Sequence, residues 1–413
     1  MAQRRARRKS AYTEAIAFSK KGVACLEKLP STVEMQKRII DARVTLGNNC
    51  FNLDHYAEAR DAVAPVFDLV HQLDYRRRLP AINVIMTAYL IFIEERPDEA
   101  EVRRYLMEAQ RLALEEKDYL SLWNAYWFEG VAHGLNCEFA EGEACYLRIM
   151  EMSKAAGNLM GLEVVKFSIA TQIYAQDGRI DAALKCGQEA LQFALQADDL
   201  FLKGGAYLAC GGAFLRKGLF PEAEENLTLA IELNQKTDAA GRLMLSFANL
   251  GLLRFEKGRY QEAQECCDGL IGVYERERTS PSAARLAQIL KSAAGVRGHL
   301  NPALDAVLNF DLQEIRMRSI QGMAGQAMGE IYLYIDDGHI DEAEVWIRKA
   351  IEINQQNQMP WDLARAYALY SEFFKKKHDP TQAREKLSKA IDLMRGCGAD
   401  GWVKKYEEEL AII

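Results

Sequence analysis

Apolar residues recur along this chain at helical spacing, and the helices they mark recur at a constant interval. After Pro221, the residues Ala223, Leu227, Ala230 and Ile231 fall at offsets of 4, 7 and 8, which gathers them into the one-sided stripe of an amphipathic helix. Many such stripes begin with an aromatic or aliphatic residue followed three positions later by alanine: Tyr56/Ala59, Ile180/Ala183, Phe220/Ala223, Tyr260/Ala263, Leu300/Ala303 and Ile340/Ala343. With Ala383 added, and Val102 and Gly142 as equivalents, these positions form a ruler at 59, 102, 142, 183, 223, 263, 303, 343 and 383, with steps of 43, 40, 41 and then 40. A period held over most of a chain marks a repeat architecture.

Small residues keep step with the ruler. Gly47, Gly130, Gly211 and Gly251 lie twelve positions before it, and Ala109, Ala190, Ala230, Ala350 and Ala390 seven after it. Small residues at set places mark where helices cross closely. Five positions before the ruler stands Gly178, Gly218, Gly258, Gly298 or Gly338, a residue that readily takes the left-handed backbone ending a helix. Pro221 sits where a second helix would begin, a place its fixed backbone angle suits. Each unit is therefore expected to be a helical hairpin, and no run of alternating β-branched residues predicts a strand.

This frame predicts nine tandem hairpins over 31–395. Residues 1–30 form a half-repeat or cap with a basic leader: Tyr12 to Pro30 has the pattern of a second helix whose first helix is missing, so a piece of a longer protein is expected. Residues 396–413 form a capping helix, set off by Gly396-Cys397-Gly398, with Trp402, Val403, Tyr406 and Leu410 covering the apolar flank of the last hairpin. A solenoid held by nearest-neighbour contacts alone is expected to flex.

The small-residue ladder, the Y-x-x-A start of the second helix and the glycine turn resemble tetratricopeptide repeats. The resemblance implies an all-α fold, a right-handed superhelical solenoid of antiparallel helix pairs. The usual repeat of that family is 34 residues, so a period of 40 implies longer helices. The wording from Trp361-Asp362-Leu363-Ala364-Arg365-Ala366-Tyr367 through Ala383-Arg384-Glu385-Lys386-Leu387 to Gly401-Trp402 is similar to the closing repeats of bacterial signalling proteins. Those proteins join a class III nucleotide cyclase or a DNA-binding module to a signal-transduction ATPase and a helical tail. The resemblance implies a sensing or interaction tail; no cyclase or ATPase residue carries over.

Composition narrows the chemistry. With 59 acidic and 52 basic residues, the chain does not favour a nucleic-acid backbone. The basic clusters Arg4-Arg5 with Arg7-Arg8-Lys9, and Arg76-Arg77-Arg78, do not extend into a basic face. Nine cysteines are scattered without a C-x-x-C pair, as small core residues in a reducing, cytoplasmic setting. No apolar window suggests a membrane span or signal peptide. No G-x-x-x-x-G-K-[ST] loop occurs, and His55, His71, His133, His299, His339 and His378 are spread without H-E-x-x-H or a cysteine at ligand spacing. No catalytic residue, cofactor or metal is expected.

The tetratricopeptide resemblance implies that first helices line a concave groove. Counting from the small residue before each ruler position puts Asn48, Asn52, Asn124, Trp127, Gln172 and Arg216 on that surface, with amides and a guanidinium to grip a backbone or carboxylate and Trp127 as an aromatic anchor. The expected function is a non-catalytic scaffold for a protein, a peptide or a neighbouring domain of the same polypeptide, within a larger bacterial signalling protein. A free-standing cytosolic adaptor and a small-ligand receptor with its site inside the superhelix are the alternatives.

Overall fold

A computed structural model describes residues 2–300, 304 and 307–413, with side chains from residue 14 onward. All regular elements among them are helical. A leading helix α1 (Ala2–Leu26) precedes α2 (Val33–Phe51), whose partner is broken at Pro65 into α3 (Tyr56–Val63), a short 3-10 turn and α4 (Phe67–Gln72), because proline lacks the N–H that would continue the helix. Four regular hairpins follow: α5 (Leu79–Phe92) with α6 (Ala100–Glu115), α7 (Tyr119–Leu135) with α8 (Phe139–Ala155), α9 (Leu159–Ser168) with α10 (Ile180–Ala197), and α11 (Leu200–Lys217) with α12 (Phe220–Thr237). A π-helical turn, Ile169–Tyr174, extends α9. Next come α13 (Ala240–Glu256) with α14 (Tyr260–Glu277), and α15 (Pro281–Arg297).

After α15 the repeat departs from its ruler. The described residues between it and α16 (Arg318–Ile335) hold no α-helix, only the 3-10 turn Leu312–Glu314; Ala303 lies outside the described residues. Asp311 and Glu314 close a capping box there, and Val307, Phe310 and Ile315 bury themselves against Ile289 and Met328. Irregular chain thus covers the apolar face that a second helix was expected to cover. Regularity returns with α17 (Ile340–Gln356), α18 (Pro360–Lys376), α19 (Pro380–Gly396) and a final α20 (Asp400–Ile412). Among the described residues no helix is long and apolar enough to cross a membrane.

The ladder residues do what their size suggested. Ala109, Ala190, Ala230, Ala350 and Ala390 are wholly buried. A Cβ on Gly47 would lie 2.8 Å from Val63, and one on Gly130 2.7 Å from the Tyr146 ring, closer than packed atoms tolerate. Three of the five turn glycines, Gly178, Gly218 and Gly258, are left-handed, at φ of 88°, 81° and 73°. Gly298 is not: it stays at φ −89° and His299 takes the left-handed position at 51°. Gly338 lies in a 3-10 turn, donating to Asp336 Oδ1 at 2.8 Å.

Nearest-neighbour contacts are not the whole of the architecture. The chain meets itself again 187 residues on, between four and five repeats later. The indole N–H of Trp402 donates to Leu215 O at 2.8 Å and that of Trp361 to Arg216 O at 3.0 Å. Both acceptors lie in the last turn of α11, beyond the regular helical ladder; Leu215 O also accepts from Gly218 N at 3.1 Å. Trp402 therefore reaches beyond the last hairpin to a distant turn of the array. At a second point of the seam, Ser280 N donates to Phe92 O at 2.8 Å and the Arg316 guanidinium to Glu94 O at 2.8 Å. Ser280 makes no side-chain cap for α15; the buried Glu95 carboxylate does so instead, accepting from Ser282 N at 2.9 and 3.0 Å. A carboxylate suits a helix N-terminus, where N–H groups and the dipole both favour negative charge.

Contacts between acidic and basic side chains tie the second turn together. Glu256 on α13 accepts from Arg365 on α18 at 2.8 Å and from Lys405 on α20 at 3.2 Å, and these cations hold its carboxyl below the ordinary range although burial opposes them. Arg297 meets Glu330 at 2.9 Å and Glu372 at 3.0 Å. At Glu330, burial reinforced by Glu372 outweighs the Arg297 charge and pushes the carboxyl up to about 8.

Two predictions follow from these contacts. Gly401 backs directly onto Gly218, and a Cβ on Gly401 would fall 2.4 Å from Gly218 O; Gly401→Ala is expected to cost about 1–3 kcal/mol in urea denaturation and to enlarge the radius of gyration in small-angle scattering. Folded Glu330 keeps its proton from its ordinary 4.5 up to about 8, whereas the unfolded chain has released it. Its contribution to stability is therefore present at low pH and is lost as pH rises across that window, by up to about 1.4 kcal/mol per pH unit, with no further change above it. Glu330→Gln should flatten that slope when unfolding free energies are measured from pH 5 to 9.

Candidate functional site

The curve that the seam closes surrounds an open cavity of about 1800 Å³. Its wall comes chiefly from the first helices, α2, α5, α7, α9 with its π turn, α11, α13, α15 and α16, and is largely apolar, with Phe51, Phe92, Phe128, Phe247 and Phe255 among its rings. Tyr119, Leu120, Met160 and Leu245, also on the wall, are exposed. Exposed large apolar groups in one place mark an interaction site.

Asn48, Asn52, Asn124, Trp127, Gln172 and Arg216 all lie on this wall. Asn48 and Asn52 are exposed and Asn124 is half-buried. Asn48 and Asn124 come from the inward faces of α2 and α7, and Asn52 caps the C-terminus of α2. The half-buried Trp127 is held by its indole N–H, which donates to Ser168 Oγ at 3.1 Å, and by Phe128 edge-on with ring centroids 4.8 Å apart. Gln172 is placed by the π turn, and its Oε1 accepts from Tyr146 OH at 2.5 Å. A π turn shifts the register of the residues after it, which is why such turns collect at functional surfaces.

Arg216 differs from the free guanidinium expected at its position. It is buried; its Nε donates to Ala175 O at 3.0 Å, a terminal nitrogen donates to Asn249 Oδ1 at 3.2 Å, and the group stacks over Trp361 at 5.1 Å. Burial lowers its pKa while the buried Asp362 carboxylate opposes that. Asp362 makes no side-chain hydrogen bond among the described residues, and burial raises its carboxyl against the pull of Arg216 and Arg365. Arg216 is therefore a brace between the cavity wall and the seam.

Other wall residues have no signature in the sequence. Arg242 pairs with the buried Glu163 at 3.2 Å, donates to Phe201 O at 2.6 Å and stacks 4.0 Å from the Phe201 ring. Its partner is 79 positions away, beyond any local pattern. Asp54 has φ 59° and accepts from Tyr56 OH at 2.8 Å; burial raises its carboxyl, and Tyr56 and Arg242 oppose the rise. The left-handed Asp54 just after α2 was legible in principle, since aspartate tolerates that backbone at a helix end.

Chemically the wall offers apolar surface, amide donors and acceptors, and fixed charges. Its volume exceeds the roughly 300–1000 Å³ usual for small-ligand pockets. Arg216→Ala removes the hydrogen bonds to Ala175 and Asn249 and is expected to destabilise by about 1.5–3 kcal/mol. Arg216→Lys should restore little of this, because an ammonium cannot reproduce the planar fork to Ala175 and Asn249; chemical denaturation of both variants checks this.

A family model for the tetratricopeptide repeat matches residues 332–357, the end of α16 and all of α17. No curated protein sequence matches the chain. Among solved structures it is similar to a Rap protein complexed with competence and sporulation factor, at 13% identity and TM-score 0.57, over 90% of this chain and 98% of that one. The apo form of RapI aligns at 12% identity and TM-score 0.46, over 86% of this chain and 98% of that one. A signal-transduction ATPase with a tetratricopeptide-repeat sensor, from Pyrococcus horikoshii, aligns at 14% and TM-score 0.39, over 97% of this chain and 55% of that one. At such identity the first likeness speaks to the fold alone, and with the family model it shows an all-α helical repeat of tetratricopeptide type.

Proposed function

We propose that the chain is a non-catalytic scaffold whose interior cavity binds an extended peptide or protein segment. The observation that carries this reading is the cavity of about 1800 Å³, apolar for most of its wall and supplied with the amides of Asn48, Asn52 and Asn124, which make no side-chain hydrogen bonds among the described residues. Amides satisfy the backbone of an extended segment whatever its sequence, and apolar pockets between them select its side chains. The Rap protein of similar fold is complexed with competence and sporulation factor, which favours an occupant of the same kind. The sensing or interaction region of a larger bacterial signalling protein is the finer role we propose; its support is the C-terminal wording from Trp361 to Trp402.

A library of short peptides screened against the purified chain by fluorescence anisotropy tests the reading. Binders should be displaced by one another, and Trp127→Ala should weaken them about 30-fold, the equivalent of losing a 2 kcal/mol anchor. Asn124→Ala should weaken peptides of unrelated sequence alike, because it acts on the backbone. Absence of any binder, or binding indifferent to both substitutions, would remove the proposal.

A further inference from the structure

We propose that Glu129, His133 and Cys145 form a site for one zinc ion on the α7–α8 hairpin, outside the peptide cavity. Histidine and cysteine positions looked unrelated along the sequence, but the hairpin brings these together. Glu129 and His133 are four residues apart on α7 and therefore emerge one above the other on the same face. Cys145 lies across from them on α8, and one ligand atom from each residue falls within 4.8 Å of the other two. A tetrahedral zinc ion with bonds of about 2.0–2.3 Å holds its donors roughly 3.3–3.8 Å apart, so side-chain rotations that draw the three donors together by about 1 Å reach a coordinating geometry. The close crossing has a cause: a Cβ on Gly142 would stand 3.3 Å from Gly130 O and 3.5 Å from His133 Cβ, and without one α8 lies against the donor face of α7.

Outer partners already orient two of the donors. Gln110 Nε2 donates to Glu129 Oε2 at 2.9 Å. His133 Nδ1 lies 2.5 Å from Glu138 Oε2, which leaves Nε2 as the nitrogen open to a metal; a carboxylate behind a ligating imidazole is the usual arrangement at zinc sites. The donor set itself selects the ion. Thiolate and imidazole favour zinc over magnesium or calcium, which prefer oxygen alone. Burial and the Glu129 carboxylate push the Cys145 thiol up to about 12, so the metal-free site holds a neutral thiol. Zinc binding replaces that proton, which passes to solvent. The His133 and Glu138 side chains are 28% and 46% exposed, which gives the ion a path in and leaves its fourth position to water. None of the three ligands is on the cavity wall, so the site stands or falls independently of the peptide reading.

Titration of the metal-free protein with cobalt(II), followed by zinc(II), tests the proposal. One cobalt ion per chain should bind, with the visible bands of a tetrahedral ion and a near-ultraviolet thiolate charge-transfer band, and zinc should displace it. Cys145→Ser should abolish the thiolate band, and His133→Gln, at a half-exposed position, should lower affinity at least tenfold with the helical circular dichroism unchanged. Glu138→Gln should keep the band while weakening binding tenfold or more. No thiolate band with the intact chain, or an undiminished one in Cys145→Ser, would overturn the assignment.

Discussion

The structure depends on helix ends being satisfied from a distance. At the last turn of α11 two carbonyls receive the indole N–H groups of Trp361 and Trp402, and at the first turn of α15 two N–H···O contacts from Ser282 end on Glu95. Each such bond contributes about 0.5–1.5 kcal/mol, and leaving its partner buried and unpaired costs more. Both indoles are wholly buried, which adds the larger, apolar share. Without these contacts successive turns of the array would be free to separate. With them the groove curls round a cavity that stays open to solvent, and Asn48 near one end of the chain shares a wall with Met317 and Met323.

The hairpins were legible because a local rule repeats. The ruler alanines and the small residues around them report close helix crossings within one unit, and described ruler positions such as Ala59, Val102, Ala183 and Ala223 are fully buried. The same rule failed after Leu300, where the ruler stays in step but the described chain is irregular. There the capping box of Asp311 and Glu314 opens no more than the single 3-10 turn Leu312–Glu314, and no second α-helix forms among the described residues. The seam left no repeating trace. Its partners are unlike residues, an indole and a carbonyl or a carboxylate and an amide, and each pairing occurs once.

The wall shows the same division. The frame of the repeat brings Asn48, Asn52, Asn124, Trp127 and Gln172 to one surface, since position in a unit decides which way a side chain faces. It could not say which of the wall residues have donors to spare. Arg216 has spent its donors on Ala175 and Asn249, and Arg242 on Glu163 and Phe201; these engagements depend on partners in other hairpins. The turn glycines show one position serving two scales. Gly218 ends α11 and, with no side chain, also admits the backbone of Gly401 from the next turn of the array.

The capping of α15 by Glu95 bears on the order in which the molecule assembles. An open repeat array folds from any nucleus and spreads outward, each unit templating the next. Here the N-terminus of α15 waits for a carboxylate 187 residues upstream, so the second turn completes only after the first has closed to the right curvature. The loop-closure entropy of that long-range contact must be met before its reward arrives, which slows folding. In return, the two turns unfold as one cooperative body, and a protease meets few partly opened states in which a single hairpin has peeled away.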